Sequence, residues 1–406
     1  MDQTISILWK PILKKYPDID LSNLRLSTTK LELHNSIFDL FPYVEWHFLA
    51  PPSLLEEGYF LVGSEIDFIF QSPKEKESIT FSFAIVSIIN GPSENGQGVS
   101  LLYTLILTAP WYFKQSIKSK IYRGSISSVF TQLLKEDIPS LSVTCSNSRD
   151  IEDNYYRIKE TPSSFISKHI KDFLAEDNEF PFYFTHYNNS LYIIDTKYSK
   201  QSFRKYFGIS YSLLNSDILK SKQANQEVED YLILMNLQFL FGNQDQYSLY
   251  TALNPGFSYI YRDTFEVKTP RNKPNFYPLI SNTEKIFVPV QDQKAPGYTK
   301  YYFDDSLRPY DKIYAEKLWE HYKMLLTGQT LACTILPNLT IHPGRYVELL
   351  LINQNGEESV YSQTFLVTST TTIFQGSQAK TELTLSSIRG FTYTDERKVL
   401  RFFKTI

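Results

Sequence analysis

Apolar and polar residues alternate with a period of two through much of the chain, the pattern of strands that bury one face. Ile79 to Ile85 (ITFSFAI) is the clearest run, and Gly58 to Phe70 (GYFLVGSEIDFIF) predicts one or two strands ahead of it. Asn90-Gly-Pro and Asn95-Gly-Gln-Gly carry turn chemistry. The alternation returns from Val99 to Thr108 and stops at Pro110.

The period then becomes helical. Ile126, Val129, Phe130, Leu133 and Leu134 share one face of a helix predicted over Ser125 to Asp137, and Pro139 bars its continuation. Thr161-Pro162 is a cap residue followed by proline at the first helical position. The helix it opens carries the stripe Phe165, Ile166, Ile170, Phe173 and Leu174. Phe182-Tyr-Phe and Leu191-Tyr-Ile-Ile flank Asn188-Asn189 and predict an aromatic hairpin. Residues 120 to 196 therefore form a small α+β unit between β elements.

Residues 197 to 227 are polar and poorly periodic, and a β run resumes near Tyr231. Six of the chain's 20 prolines fall between Pro270 and Pro309. That density predicts an extended excursion lying on other surfaces, with no core of its own. A third helix is predicted from Lys312 to Leu326, with Ala315, Leu318, Trp319, Tyr322, Leu325 and Leu326 on one face and Gly328 placed to end it. The rest is β again: Gly344 to Ile352, a turn at Asn355-Gly356, Ser362 to Thr368, Gly376, and Lys380 to Leu385.

The two β regions share an order. Each has a glycine (Gly58; Gly344), a long strand, a polar gap, a short strand (Phe83-Ala-Ile-Val; Phe365-Leu-Val-Thr), a glycine-containing turn and a final alternating strand. A repeat of this kind implies two copies of one unit. The predicted fold is mainly β with an α+β insert, built on two similar antiparallel β-barrels. The expected divisions are residues 1–118 for the first barrel, 119–197 for the insert, and 198–268 with 327–393 for the second barrel. Residues 269–326 hold the proline-rich excursion and its helix, and 394–406 a C-terminal tail.

Composition narrows the function. Hydrophobic residues make up 42% of the 406, enough for a sizeable core. Tyr and Phe number 29 each against 3 Met, a balance that suits sheet, although biased base composition in a genome raises the same residues. A net charge of -3 gives no global case for nucleic acid or anionic membrane as partner. The N-terminus has no basic region followed by a long apolar run, so no signal peptide is expected. The apolar stretch Tyr231 to Gly242 is too short to span a bilayer and contains Asn236 and Gln238. No membrane insertion is expected, and synthesis in a cytoplasm is. Cys145 and Cys333 lie in or beside strand-like runs and are expected as buried thiols.

Catalytic constellations are missing from the pattern. The chain has no Gly-x-Ser-x-Gly, no phosphate-binding Gly-Lys-Ser/Thr loop and no His-Glu-x-x-His. Its histidines are His34, His47, His169, His186, His321 and His342, no two within ten residues. His169 lies on an apolar helix face, where a satisfied core histidine is the plain reading; His321 is expected to be solvated. The carboxylate pairs Glu136-Asp137, Glu176-Asp177 and Asp304-Asp305 read as solvated turns or helix ends. Basic residues gather at Lys114, Lys118, Lys120 and Arg123, and at Arg397, Lys398, Arg401 and Lys404, and read as solvated faces or a docking tail. No catalytic, cofactor-binding or metal-binding residue is assigned.

Two passages resemble the central hub proteins of phage-tail baseplates, a family related to the N-terminal part of the type VI secretion spike protein VgrG. The first is Thr161 to Leu174 (TPSSFISKHIKDFL), then Phe182-Tyr-Phe and Leu191 to Asp195 (LYIID). The second is Leu339 to Leu349 (LTIHPGRYVEL), then Gln363 to Thr368 (QTFLVT) and Thr381 to Leu385 (TELTL). Their order covers most of the chain. Relatives often follow the second passage's middle strand with a histidine, where Ser369-Thr-Thr-Thr-Ile stands here; the proline-rich excursion has no clear counterpart. The resemblance implies a non-enzymatic homotrimer whose tail-tube-like barrels make a pseudo-sixfold ring. Such a ring joins a hexameric tail tube, or its initiator, to a central spike or tip, contacts other baseplate proteins, and surrounds a channel through which DNA passes without specific binding. The location implied is the virion tail. A tail-tip hub of a non-contractile tail or a secretion-system spike component shares the fold; a peptidoglycan hydrolase or a receptor-binding β protein are the readings of other classes.

Overall fold

The computed structural model describes residues 7–71, 78–92, 100–149, 153–175, 180–196, 329–352, 363–376 and 378–386. It also describes strands at 203–209, 232–241, 257–261, 267–268 and 299–303, and the helical positions Ala315, Glu316, Trp319, Lys323 and Leu326.

The first β region holds β1 (Leu8–Leu13), helix α1 (Ser22–Leu26), β2 (Thr28–Ser36), β3 (Tyr43–Ala50), helix α2 (Ser53–Glu56), β4 (Glu65–Gln71), β5 (Ser78–Pro92) and β6 (Leu101–Thr108). Their spatial order is β1-β4-β5-β6-β3-β2, antiparallel throughout. Period-two alternation decides which face is buried: Val44, Trp46 and Phe48 of β3, Ile66, Phe68 and Phe70 of β4, and Phe81, Phe83 and Ile85 of β5 all enter one core. Asn90-Gly-Pro lies in β5, paired with Tyr103 to Leu101, and not in a turn. Pro92 is tolerated there because it stands at a strand end, beside an edge with no ladder bond to lose. The Asn95 turn lies outside the described residues.

The insert holds β7 (Lys118–Gly124), α3 (Ile126–Asp137), β8 (Ser142–Cys145), β9 (Asp153–Glu160), α4 (Pro162–His169), β10 (Pro181–Thr185) and β11 (Ser190–Asp195). Helix α3 buries all five residues of its predicted stripe. Thr161 Oγ1 caps α4 by accepting from Ser164 N at 3.2 Å, and Pro162 takes the first turn. Helix α4 passes into one 3₁₀ turn at Ile170–Asp172, so the stripe expected to continue as helix finishes in an extended Phe173. Strands β10 and β11 form the expected hairpin, with Asn189 at φ 61° in its turn. The helices bury their stripes against β8 and β11 in a second core.

The second β region holds β12 (Phe203–Ile209), β13 (Leu232–Phe241), β17 (Gln329–Ile335), β18 (Tyr346–Ile352), β19 (Gln363–Gln375) and β20 (Gln378–Ser386). Between β13 and β17, β14 (Phe257–Tyr261), β15 (Val267–Lys268) and β16 (Thr299–Phe303) form a small separate sheet. Ala315 and Leu326 of the third helix are buried, as its face predicts.

The two regions repeat in register as well as in order. Strands β18-β19-β20-β17-β13 pair as β4-β5-β6-β3-β2 do. Ile66 stands opposite Phe83, and Val347 opposite Phe365. Leu107 faces both Ile85 and Val44, and Leu385 faces both Val367 and Leu331. Even the register breaks match, at Ile85/Ser87 and Val367/Ser369, and at Thr28/Lys30 and Leu234/Asn236. In each region one glycine N–H locks the bulged strand: Gly63 N donates to Ile85 O at 2.7 Å, and Gly344 N to Val367 O at 2.8 Å. The counterpart of Gly344 is therefore Gly63 and not Gly58, which sits in the turn after α2. Gly63 and Gly344 have φ of 86° and 81°. Strand β12 departs from the repeat, pairing parallel with β18 where β1 pairs antiparallel with β4.

All twelve strands of the two regions belong to one continuous sheet that curls and stays open at β1. Strand β2 gives its outer edge to β19, not to β1, and that pairing joins the regions.

Candidate assembly interface

The junction between the regions is a strand ladder, sealed by side chains. Thr371 stands opposite His34 and Ile373 opposite Glu32. Thr371 Oγ1 and His34 Nδ1 lie 2.9 Å apart. Phe374, one position further along β19, reaches the first core and stacks on Phe70 at 5.3 Å between ring centroids. In the threonine-rich run Thr368 to Thr372, two inward hydroxyls are satisfied within the sheet: Thr368 Oγ1 donates to Thr384 O, and Thr372 Oγ1 lies 3.0 Å from Thr381 Oγ1.

The insert clamps both regions beside this junction. Asn35 Nδ2 donates to Thr185 O at 3.0 Å, Thr185 N to Leu40 O at 3.0 Å, and Trp111 Nε1 to Thr185 Oγ1 at 3.1 Å. Tyr187, in the hairpin turn, packs on Phe81 and Phe83 of β5. On the other side Phe182 and Phe184 close over Gly344: a Cβ at that glycine would meet Phe182 Cε2 at 2.4 Å. Gly63 has no atom within 4 Å of the same position, so only the second region carries the insert on this tip.

The tip contains an aromatic stack that includes His186 and His342, whose rings lie 5.3 Å apart. Burial, with Arg345 nearby, pushes His342 down to about 3; burial pushes His186 down to about 4. His342 Nε2 accepts from Arg345 Nε at 2.7 Å and its Nδ1–H donates to Pro343 O at 2.8 Å, so both ring nitrogens are committed to the neutral form. Both pKa values lie below the unfolded-state value of about 6.5, so the unfolded chain binds more protons in between. The stability these residues give is whole above about pH 6.5 and falls with pH toward 4. A thermal melt series from pH 7.5 to 4.5 should show that decline, and His186→Phe with His342→Gln should flatten it; an unaltered slope in the double variant refutes the assignment.

Several of the remaining residues singled out in the sequence lie among the described ones and have partners there. Lys114 pairs with Glu65, Lys118 with Asp137 and Lys120 with Glu136, so three cations of the first basic cluster sit on carboxylates. Asp137 is not a solvated helix end: it is buried against a fully buried Arg157. His169 Nδ1 is 2.7 Å from Asp172 Oδ2, and His47 Nδ1 is 2.9 Å from Thr104 Oγ1. Cys333 is buried and Cys145 half-buried, and burial holds both thiols up at about 12. His321, Glu176-Asp177, Asp304-Asp305, the excursion between 269 and 298, the Asn355 turn and the C-terminal basic cluster lie outside the described residues. An open cleft of about 650 Å³ between the β2–β3 connection and α4 is lined by His34, Asp39, Tyr43 and three serines, but His34 Nδ1 is engaged with Thr371. Among the described residues no group of three His, Cys, Asp or Glu is placed to hold a metal ion, and no helix is long and apolar enough to cross a membrane. Sequence reasoning missed the Arg157–Asp137 pair, Tyr187 and the meeting of His186 with His342, since each depends on contacts between distant segments.

No protein-family model matches the chain, and no curated protein matches it in sequence. Solved structures match over nearly its whole length. The tail protein from Neisseria meningitidis MC58 is 11% identical at a TM-score of 0.55, covering 95% of this chain and 98% of that one. The 43 kDa tail protein of prophage MuSo2 from Shewanella oneidensis is 10% identical at 0.51, covering 89% and 94%. An Escherichia coli component of the type VI secretion system, structurally similar to the T4 bacteriophage tail proteins gp27 and gp5, is 9% identical at 0.50, covering 91% and 74%. At such identities the likeness is one of fold, and the chain has the fold of these tail and secretion-system proteins, in line with the resemblance in its motifs.

Proposed function

We propose that the chain is a non-enzymatic structural hub of a phage tail baseplate. It works as a homotrimer whose six β units, two per chain, form a pseudo-sixfold ring around the DNA exit channel. The ring joins the hexameric tail tube, or its initiator, to the trimeric central spike or tip, and other baseplate proteins dock around it. The observation that carries this reading is the duplicated register. Two units that pair alike within one chain let a threefold assembly present six near-equivalent surfaces to a sixfold neighbour. In the second unit the pairings β19–β18–β12–β13–β17–β20–β19 run in a circuit, which supports a barrel there, and the open first unit is the less complete copy. The divisions follow from this: residues 1–118 and 198–268 with 327–393 as the two units, 119–197 as the clamp between them. The chain is made in the host cytoplasm and becomes part of the virion tail baseplate.

Light scattering tests the stoichiometry. The expected species has three times the 47.3 kDa mass of the chain. A monomer that persists at high concentration counts against a self-assembling ring. A spike component of a secretion system is the second reading, favoured by the likeness to the Escherichia coli protein. Co-purification with a sixfold tube protein of a phage, against one of a secretion system, separates the two.

A further inference from the structure

The β7–β9 ribbon of the insert has its polarity reversed. Among the described residues these two strands pair only with each other, Ile121 opposite Tyr156 and Tyr122 opposite Tyr155. Their inner face carries the charge. Lys118 and Lys120 reach Asp137 and Glu136 of α3, and Arg157, Tyr122 and Tyr155 are buried. Alternation sends the intervening side chains outward. There Ile121 is 55% exposed, Tyr156 54% and Ile158 66%, and Ile117, next to a Ser116 that bonds Asp137, is 70% exposed. Four large apolar side chains thus face solvent on one side of a two-stranded ribbon, the signature of a docking surface.

The rim of this strip is cationic. Arg123, opposite Asn154, stands at one end and Lys159 at the other. Both are exposed, and neither has an ion pair among the described residues. Lys159 sits at φ 50° in the bulge between Lys118 and Lys120, where its N–H donates to Ser119 Oγ at 3.0 Å. The carboxylates at the ribbon's ends are already engaged: Glu160 Oε1 accepts from Lys168 Nζ, and Asp153 Oδ1 from Asn154 N. A second copy of the chain is a poor occupant, because a twofold contact of this face with itself sets Arg123 and Lys159 against like charges. An apolar surface flanked by carboxylates is complementary to it.

The strip is also narrow. Ile117 and Ile121 lie about 13 Å apart along the strand, and the two strands are about 5 Å apart. That is the footprint of one helix laying down residues i, i+4 and i+7, not of a packed sheet. From Asn154 to Lys159 the strand covers about 16 Å, a length that about eleven residues of helix match. We propose that the outer face of the β7–β9 ribbon docks an amphipathic helix of another baseplate protein, whose carboxylates, about eleven residues apart, meet Arg123 and Lys159. This rests on the hub reading for the partner's place in the tail, and gives that hub a docking surface of stated chemistry. The contact is smaller than a stable interface needs, so three copies on one ring hold such a partner by avidity.

Fluorescence anisotropy with the full chain and three labelled peptides of about 18 residues, long enough to hold a helix, tests this. The first peptide has a leucine stripe at helical spacing with a glutamate at each end of it. The second carries lysines in place of the glutamates, and the third has the first one's composition in period-two order. The first should bind at least about tenfold tighter than the second, the worth of two exposed ion pairs made or opposed. Ile121→Asp, at an exposed position that folding does not use, should abolish binding of the first peptide. Arg123→Glu with Lys159→Glu should reverse the preference between the first two. Equal binding of those two overturns the acidic partner, tighter binding of the third overturns the helix in favour of an added strand, and no binding of the first overturns the surface itself. Self-association of the native chain that Ile121→Asp removes makes the occupant a second copy and overturns the proposal. A trimer by light scattering that ignores the peptides leaves the hub standing without this surface, and a monomer that binds the acidic one keeps the surface and sinks the hub.

Discussion

Gly344→Val should be the most damaging single change in the described structure, costing about 3–5 kcal/mol by combining backbone strain with overpacking. The backbone at Gly344 has φ 81°, a region closed to β-branched residues. Any Cβ would lie 2.4 Å from Phe182 Cε2 and 2.8 Å from Cζ. Phe182 is itself buried between Phe180 and Phe184, so its ring has nowhere to go. The chain supplies its own control. Gly63 has φ 86° and makes the same hydrogen bond in the first region, yet has no neighbour within 4 Å of its Cβ position. Gly63→Val should therefore show the backbone cost alone, about 1–2 kcal/mol. Urea unfolding of the two variants side by side isolates the steric difference, and equal losses at both glycines would mean the insert does not rest on this tip.

Asp137→Ala follows closely, at about 3–5 kcal/mol. Arg157 has no exposed side-chain surface and spends its donors on Asp137 Oδ2 at 2.7 Å, Glu160 O at 2.8 Å and Ser116 O at 2.5 Å. Removing the carboxylate leaves a guanidinium charge stranded in the protein, the costly half of breaking a buried pair. Burial alone would raise the Asp137 carboxyl, but Lys118 and Arg157 outweigh it and hold the group below its ordinary range. A depressed folded value means the contribution is present above the unfolded pKa and is lost as pH falls through the folded one. Replacing both partners, Asp137→Leu with Arg157→Met, should cost less than Asp137→Ala alone in thermal melts. A double variant that is weaker than the single one would show that the pair contributes attraction beyond its own desolvation.

The elements that sequence reading found are those whose signal is local. Helix α3 and the start of α4 carry a full apolar stripe and a cap, and the β10–β11 hairpin carries its Asn pair, so all three stand where expected. The repeat was visible in strand order, but its anchoring glycine was not. Gly58 and Gly63 sit close together ahead of the same strand, and only the pairing of Ile66 with Phe83 shows that Gly63 begins it. Strands β1, β2 and β3 are not among the predicted elements, although Tyr43–Ala50 alternates cleanly and its signal is local. Strand β12 lies in a polar stretch whose pairing with β18 nothing local announces. Asp137 looked like a surface carboxylate because its partner arrives from β9.

The β2–β19 ladder also sets a chronology. The first region can close its local antiparallel pairs as soon as β6 is made, whereas β13 must wait for β17 and β2 for β19, with long stretches of chain between. Long closures are slow, and an unmatched strand edge is the surface through which nascent chains associate wrongly. During translation the outer edge of β2 waits through the whole insert and nearly all of the second region. The insert is finished first, and its Thr185 main chain docks at Asn35 and Leu40, where that edge ends. The clamp that later holds two units together is thus, while the polypeptide is still emerging, a guard beside the strand that has no partner yet.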